Sequence, residues 1–227
     1  MIGDHEKNQK DSDLTILDAA SGRGYGVDIL KKYFQKAKII GVELGSKYVR
    51  QALEKYAQGQ ENRSYVQGDV RHLPAADNSV DIVTAFEIIE HLPQADQQTF
   101  VNEIARVLKP GHTAYISNPY PYSMVEKTGL AGEKTRKKSG LGTNVHHHYE
   151  PTDEEMKQYL KSAGLLIKEE FGQVMVKPEL AEKMRKINKI VPLWPMFAWW
   201  RRDNMKPQSI PPGQTTLTHI YAVHKPI

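Results

Sequence analysis

Short apolar runs alternate with stretches of helical spacing along the first half of the chain. Leu14–Asp18 (LTILD) reads as a buried strand, followed by the turn SGRGYG and an amphipathic stretch from Val27 to Phe34. Lys38–Val42 (KIIGV) predicts a second strand, and Ser46–Tyr56 a helix with Tyr48, Val49, Leu53 and Tyr56 at helical spacing. Ser64–Gln67 and Asp81–Phe86 (DIVTAF) are the next strands. A helix over Phe100–Leu108 then ends at Lys109-Pro110-Gly111, and Thr113–Ser117 (TAYIS) is a fifth strand. Strands alternating with crossover-length helices predict parallel βαβ units in a doubly wound α/β sheet. Right-handed crossovers place helices on both faces, and ligands bind at the carboxyl ends of the strands.

Past Ser117 the alternation stops. Residues 119–150 hold prolines, glycines and the charge run EKTRKK, and read as an insertion. Thr152–Ala163 resumes as a helix opened by Thr-Asp-Glu-Glu, a capping-box pattern. A strand at Leu165–Phe171 follows, then a second insertion over 177–213, then a last strand at Thr216–His224 (TTLTHIYAV). The expectation is one domain over 1–227 with two insertions.

Composition narrows the chemistry. With 227 residues and no cysteine, the chain has core enough to fold without disulfides, and thiolate metal sites and cysteine nucleophiles are excluded. No apolar run approaches the ~18 residues that span a bilayer. The opening MIGDHEKNQKDSD lacks a signal-peptide core, so a cytoplasmic setting is expected. The net charge of +4 is unevenly placed: residues 177–206 carry a local +5 and residues 127–138 a local +4, leaving the rest at −5. The basic balance therefore belongs to the insertions, and the sheet-forming body is mildly acidic.

ILDAASGRGYG places an acidic residue at a strand end, then glycines where the chain enters a helix. Such a turn lets backbone approach a ligand, and the helix start offers N–H donors. The next strand ends in Glu43, which suits a pair of ribose hydroxyls, and the third in Asp69, an acceptor for an exocyclic amine. Three acidic strand ends with no GK[ST] phosphate motif favour a cationic nucleoside without phosphates. LDAASGRGYG, GVEL, GDVRHLP, DNSVDIVTAFEIIEHL and RVLKPGHTAYIS together resemble, in order, the class I S-adenosylmethionine-dependent methyltransferases. The resemblance implies a Rossmann-like fold whose seven-stranded, mostly parallel sheet has an antiparallel last strand. It also implies cofactor contacts at Asp18, Ala20, Gly22, Gly24, Glu43, Leu44, Asp69, Val70 and Phe86. Two positions depart from the family pattern: Ala20 stands where the loop's first glycine is usual, and Ser21 where a cysteine is. The rival reading, a dinucleotide-dependent dehydrogenase, fits poorly because the turn is GxGxG and the later motifs have no counterpart there.

Glu87, Glu90 and His91 in FEIIEHL follow the fourth strand, where this family begins its acceptor chemistry. In a helix, their i, i+3, i+4 spacing would put all three side chains on one face. A second cluster, Asn144-Val-His-His-His-Tyr-Glu-Pro, precedes the capped helix. The pair resembles the metal-dependent branch of these enzymes, which includes ubiquinone-pathway, glycan-associated and small-RNA 2′-O-methyltransferases. That resemblance implies Mg²⁺ or a similar divalent ion on Glu87, Glu90, His91 and His147, with His146, His147 or His148 taking the acceptor proton. The implied reaction is methyl transfer to a hydroxyl of a small molecule or glycan. The alternative is the 2′-hydroxyl of a terminal RNA ribose, against which stand the lack of an added RNA-binding domain and of a long basic tract.

Asn118-Pro119-Tyr120 looks like an amino-methyltransferase signature but follows the fifth strand rather than the fourth, and is assigned to the acceptor pocket wall or a turn. The second insertion holds Trp194, Phe197, Trp199 and Trp200 beside basic residues. Such aromatics stack on sugars or bases, rest on a lipid interface through 183–202, or pack on the core or a homodimer partner.

Overall fold

The structure, a computed structural model, describes residues 14–57, 61–119, 148–176, 208–209 and 215–227. Eight strands are present among them: β1 (Thr15–Ala19), β2 (Lys38–Glu43), β3 (Arg63–Gln67), β4 (Val80–Ala85), β5 (Leu108–Pro119), β6 (Leu166–Val176), β7 (Gln208–Ser209) and β8 (Thr215–His224). The helices are α1 (Tyr25–Tyr33), α2 (Ser46–Ala52, prolonged by a wider turn over Leu53–Ala57), α3 (Gln94–Val107) and α4 (Asp153–Ser162). All seven expected strands form; β5 starts five residues early, through the Lys109-Pro110-Gly111 read as a turn, β6 runs five residues past Phe171, and the other ends fall within two residues of expectation. The eighth, β7, is a two-residue edge strand inside the stretch read as insertion. Helix α3 begins six residues before its expected start, because Pro93 opens it with a fixed φ and Gln97 extends its buried stripe of Phe100, Val101 and Ile104 by one turn.

The strand order is β3-β2-β1-β4-β5-β8-β6-β7. Strands β1 to β5 are parallel, and β8 runs antiparallel between β5 and β6. The order reverses between β1 and β4, so the crevice above their carboxyl ends is the fold's natural ligand site. Strand β4 is buried at every position and lies mid-sheet, as its continuous apolar run requires. Two cores fill the faces. Leu17, Val83, Ile116, Tyr221 and Val223 meet Phe100 and Ile104 of α3 and Met156 and Leu160 of α4. Ile16, Ile39, Ile82, Tyr115 and Ala222 meet Val27 and Leu30 of α1 and Val49 of α2. Helix α4 carries the expected capping box: the Thr152 side chain accepts from the Glu155 N–H at 3.1 Å, and the Glu155 carboxylate accepts from the Thr152 N–H at 2.8 Å. Among the described residues no helix is long and apolar enough to cross a membrane.

Candidate active site

The turn between β1 and α1 is built on left-handed backbone. Ala20 has φ 63°, Gly22 53° and Gly24 83°. The strain at Ala20 explains why glycine is usual there, and alanine is among the smaller side chains that the position admits. Gly24 is demanded twice over, since a Cβ there would lie 2.7 Å from the Tyr65 ring and 2.8 Å from Ala52. A Cβ on Gly22 would meet nothing within 4 Å, so open space lies beside the turn.

Asp18 is the next-to-last residue of β1, and its Oδ1 accepts from the Thr84 hydroxyl of β4 at 2.8 Å. Burial pushes its carboxyl up to about 6, with the Thr84 bond opposing. Glu43, ending β2, braces two loops: Oε2 accepts from the Gly22 N–H at 3.0 Å and Oε1 from the Gly45 N–H at 2.9 Å. Each oxygen keeps a second lone pair for a hydroxyl. Leu44 and Phe86 are exposed beside these strand ends, and Val70 is buried in the core. Asp69, expected as the end of the third strand, lies two residues beyond the end of β3 at Gln67. Its carboxylate is gripped by Arg71, whose Nη2 lies 2.6 Å from Oδ2, while Nη1 reaches Asp96 of α3 at 2.6 Å. That guanidinium holds the Asp69 carboxyl below its ordinary range. The open space at Gly22, two free lone pairs on Glu43 and an acidic floor at Asp18 suit a cationic nucleoside.

The acceptor end follows β4. FEIIEHL does not form the helix that would put its three ligands on one face. Glu87 sits at φ 54°, donates its N–H to Ser117 Oγ at 2.7 Å, and accepts that hydroxyl on Oε1 at 3.2 Å. Only Ile89–His91 coils, as a single 3-10 turn. Glu87 is exposed, Glu90 is buried and His91 is half-buried. The two expected segments do meet: the Glu90 carbonyl accepts from the backbone N–H of His148 at 2.8 Å and of Tyr149 at 3.3 Å. His148 itself is exposed. Asn118, wholly buried at the end of β5, donates Nδ2 to the Pro151 carbonyl at 2.9 Å. His146, His147, Tyr120 and the aromatic group Trp194, Phe197, Trp199 and Trp200 lie outside the described residues.

One group escaped the sequence reading. Among the described residues, Asp153, Glu170 and His219 are the group of metal-ligating types whose donor atoms converge, within 4.8 Å of one another. A cation is already present there. The Lys157 ammonium lies 2.9 Å from Asp153 and 3.2 Å from Glu170, while His219 Nδ1 and Nε2 lie 3.3 Å and 2.9 Å from the same two carboxylates. Tyr221 donates its hydroxyl to Asp153 and stacks on His219. Burial works to raise the Asp153 carboxyl, but hydrogen bonds from His219, Tyr221 and Lys157 outweigh it and hold the group well below the usual carboxylate range. The arrangement is an ion-pair network fastening α4 to β6 and β8. The alternation in TTLTHIYAV, which sets His219 and Tyr221 on one face, was the signal available in advance.

Residues 16–111 match the family model described as methyltransferase domain. A Mycolicibacterium smegmatis protein named as a probable S-adenosylmethionine-dependent methyltransferase is 30% identical over 69% of this chain and 54% of its own. The chain thus spans about half the length of that relative. The ubiquinone biosynthesis O-methyltransferase of Aeromonas salmonicida is 27% identical over 69% of this chain and 65% of its own. Among solved structures, a Haloferax volcanii methyltransferase in complex with the Trm112 activator aligns over 94% of this chain and 83% of its own, with 20% identity and a TM-score of 0.61.

Proposed function

We propose that this chain, which carries a class I S-adenosylmethionine-dependent methyltransferase domain, methylates a hydroxyl oxygen of a small molecule or glycan with help from a divalent cation. The observation that carries the reading is the seam at Glu90, where the backbone of His148 and Tyr149 bonds to the turn holding Glu87, Glu90 and His91. The backbone of the histidine segment is thereby held against the turn that follows β4. The likeness to an O-methyltransferase of ubiquinone biosynthesis supports oxygen as the accepting atom.

The cofactor supplies an electrophilic methyl on a sulfonium sulfur. Glu43 takes the ribose hydroxyls on its remaining lone pairs, and Asp18, ionised, offsets the positive charge. His146, His147 or His148 would take the proton of the acceptor hydroxyl as its oxygen bonds to the methyl carbon and the carbon–sulfur bond breaks. Glu87, Glu90, His91 and His147 would hold a cation that lowers the pKa of the hydroxyl. Their donor set suits Mg²⁺ and also admits Mn²⁺, Fe²⁺ or Zn²⁺.

The test is transfer of labelled methyl from the cofactor to hydroxylated sugars, quinol-like phenols and 3′-terminal RNA, each with and without chelator. Chelator-sensitive labelling of a sugar or phenol oxygen is expected. Labelling of RNA alone, or of nitrogen acceptors, would overturn the reading. Full activity of Glu90→Ala in chelator would remove the cation.

A further inference from the structure

Gln97 is wholly buried on the first turns of α3, and its side-chain amide meets carbonyls alone. Nε2 lies 2.8 Å from the Ile89 carbonyl, 3.3 Å from that of Leu92 and 2.7 Å from that of Tyr149. An all-acceptor surrounding dictates which end of the amide is nitrogen. The two N–H bonds are shared among three acceptors. One belongs to Ile89, which opens the 3-10 turn that presents Glu90 and His91, one to Leu92, which closes it, and the third to the segment that presents His148.

We infer that Gln97 is a positioning residue for methyl transfer, an amide clamp that sets the register between the Glu87–His91 turn and the histidine segment. The inference rests on the acceptor site proposed above. Three observations carry it. The clamp joins residues 8 and 52 positions from Gln97, at the seam where the described parts of the two segments touch. It works alongside the His148 and Tyr149 N–H bonds to the Glu90 carbonyl, so that seam is tied from both sides. Its other end is left unmatched: Gln97 Oε1 has no hydrogen-bond partner among the described residues. A buried acceptor without a donor is unfavourable, and cores remove such groups unless the remaining bonds matter. No other side chain does the same work. Glutamate would set a carboxylate against three carbonyls, asparagine is one methylene short, and leucine or methionine fills the space without donating.

The variants Gln97→Leu and Gln97→Met separate positioning from general stability, read in three ways on the full chain. Hydrogen exchange of the His148 and Tyr149 amides should quicken at least tenfold. Affinity for S-adenosylhomocysteine, measured by calorimetry, should stay within twofold, because the turn after β1 is untouched. With whichever acceptor the wild type labels, kcat/KM should fall at least tenfold while the KM for the cofactor holds. Unchanged amide exchange in either folded variant would overturn the clamp, and so would full turnover. Loss of S-adenosylhomocysteine binding in both variants would overturn it too, by making Gln97 a residue of the fold at large. A wild type that methylates no hydroxyl in the panel defeats the proposed function, whereas the exchange measurement still decides whether the clamp exists.

Discussion

Replacing Asp18 by asparagine isolates one charge at the floor of the cofactor turn. The carboxyl is buried and raised from 3.8 to about 6. At 1.36 kcal/mol per pKa unit, keeping it ionised in the folded apo chain costs about 3 kcal/mol. The sign follows from proton counting. Between about pH 4 and pH 6 the folded state holds a proton that the unfolded chain has released, so stability falls as pH rises through this window and stays lower above it. Asparagine keeps an acceptor for Thr84 and carries no charge. Urea unfolding of Asp18→Asn and wild type at intervals from pH 4 to pH 8 should therefore diverge with rising pH, the variant gaining about 3 kcal/mol relative to wild type. Affinity for S-adenosylmethionine should move the other way, roughly tenfold weaker in the variant at pH 7.5, since the carboxylate opposing the sulfonium is gone. A stability difference that stays level across the range would refute the burial argument. Undiminished cofactor affinity would refute the electrostatic role.

Two further substitutions test the same turn. Gly24→Ala adds a side chain to left-handed backbone and drives it against Tyr65 and Ala52. A loss of about 2–5 kcal/mol in urea unfolding is expected, with cofactor binding abolished. Ala20→Gly relieves left-handed strain but loosens the unfolded chain by a comparable amount, so stability should stay within about 1 kcal/mol. Ala20→Val, branched at Cβ, should cost at least 2 kcal/mol by the same assay.

What the chain disclosed beforehand was whatever depends on local pattern. The strand that carries Asp18 and the one that ends in Glu43 announce themselves through apolar runs, and the Thr152 cap through two residues three apart. Glu87 did not, because its spacing to Glu90 and His91 is helical on paper while Ser117, thirty residues on, draws it into a left-handed turn. Asp69 reads as an acidic strand end, yet β3 stops two residues earlier at Gln67, and the ion pair with Arg71 forms in the turn that follows. The Asp153–Glu170–His219 network depends on the pairing of β6 with β8 and on α4 packing over both, relations that no local window contains. Gln97 looked like one more polar residue of an amphipathic helix until three carbonyls were found around it.

The reversed strand β8 governs where the chain can be cut and rejoined. Because β5 and β6 run one way and β8 the other, Pro119, Val176 and Thr215 all stand at the same rim of the sheet. The described chain therefore leaves β5 at Pro119 and β6 at Val176 on that rim, and re-enters β8 on it at Thr215. Changes of length between these points leave the pairings among β1 to β6 and β8, and the turn at Gly24, in place. Chimaeras joined at Pro119 and His148, or at Val176 and Thr215, are therefore the direct way to ask what each connection contributes.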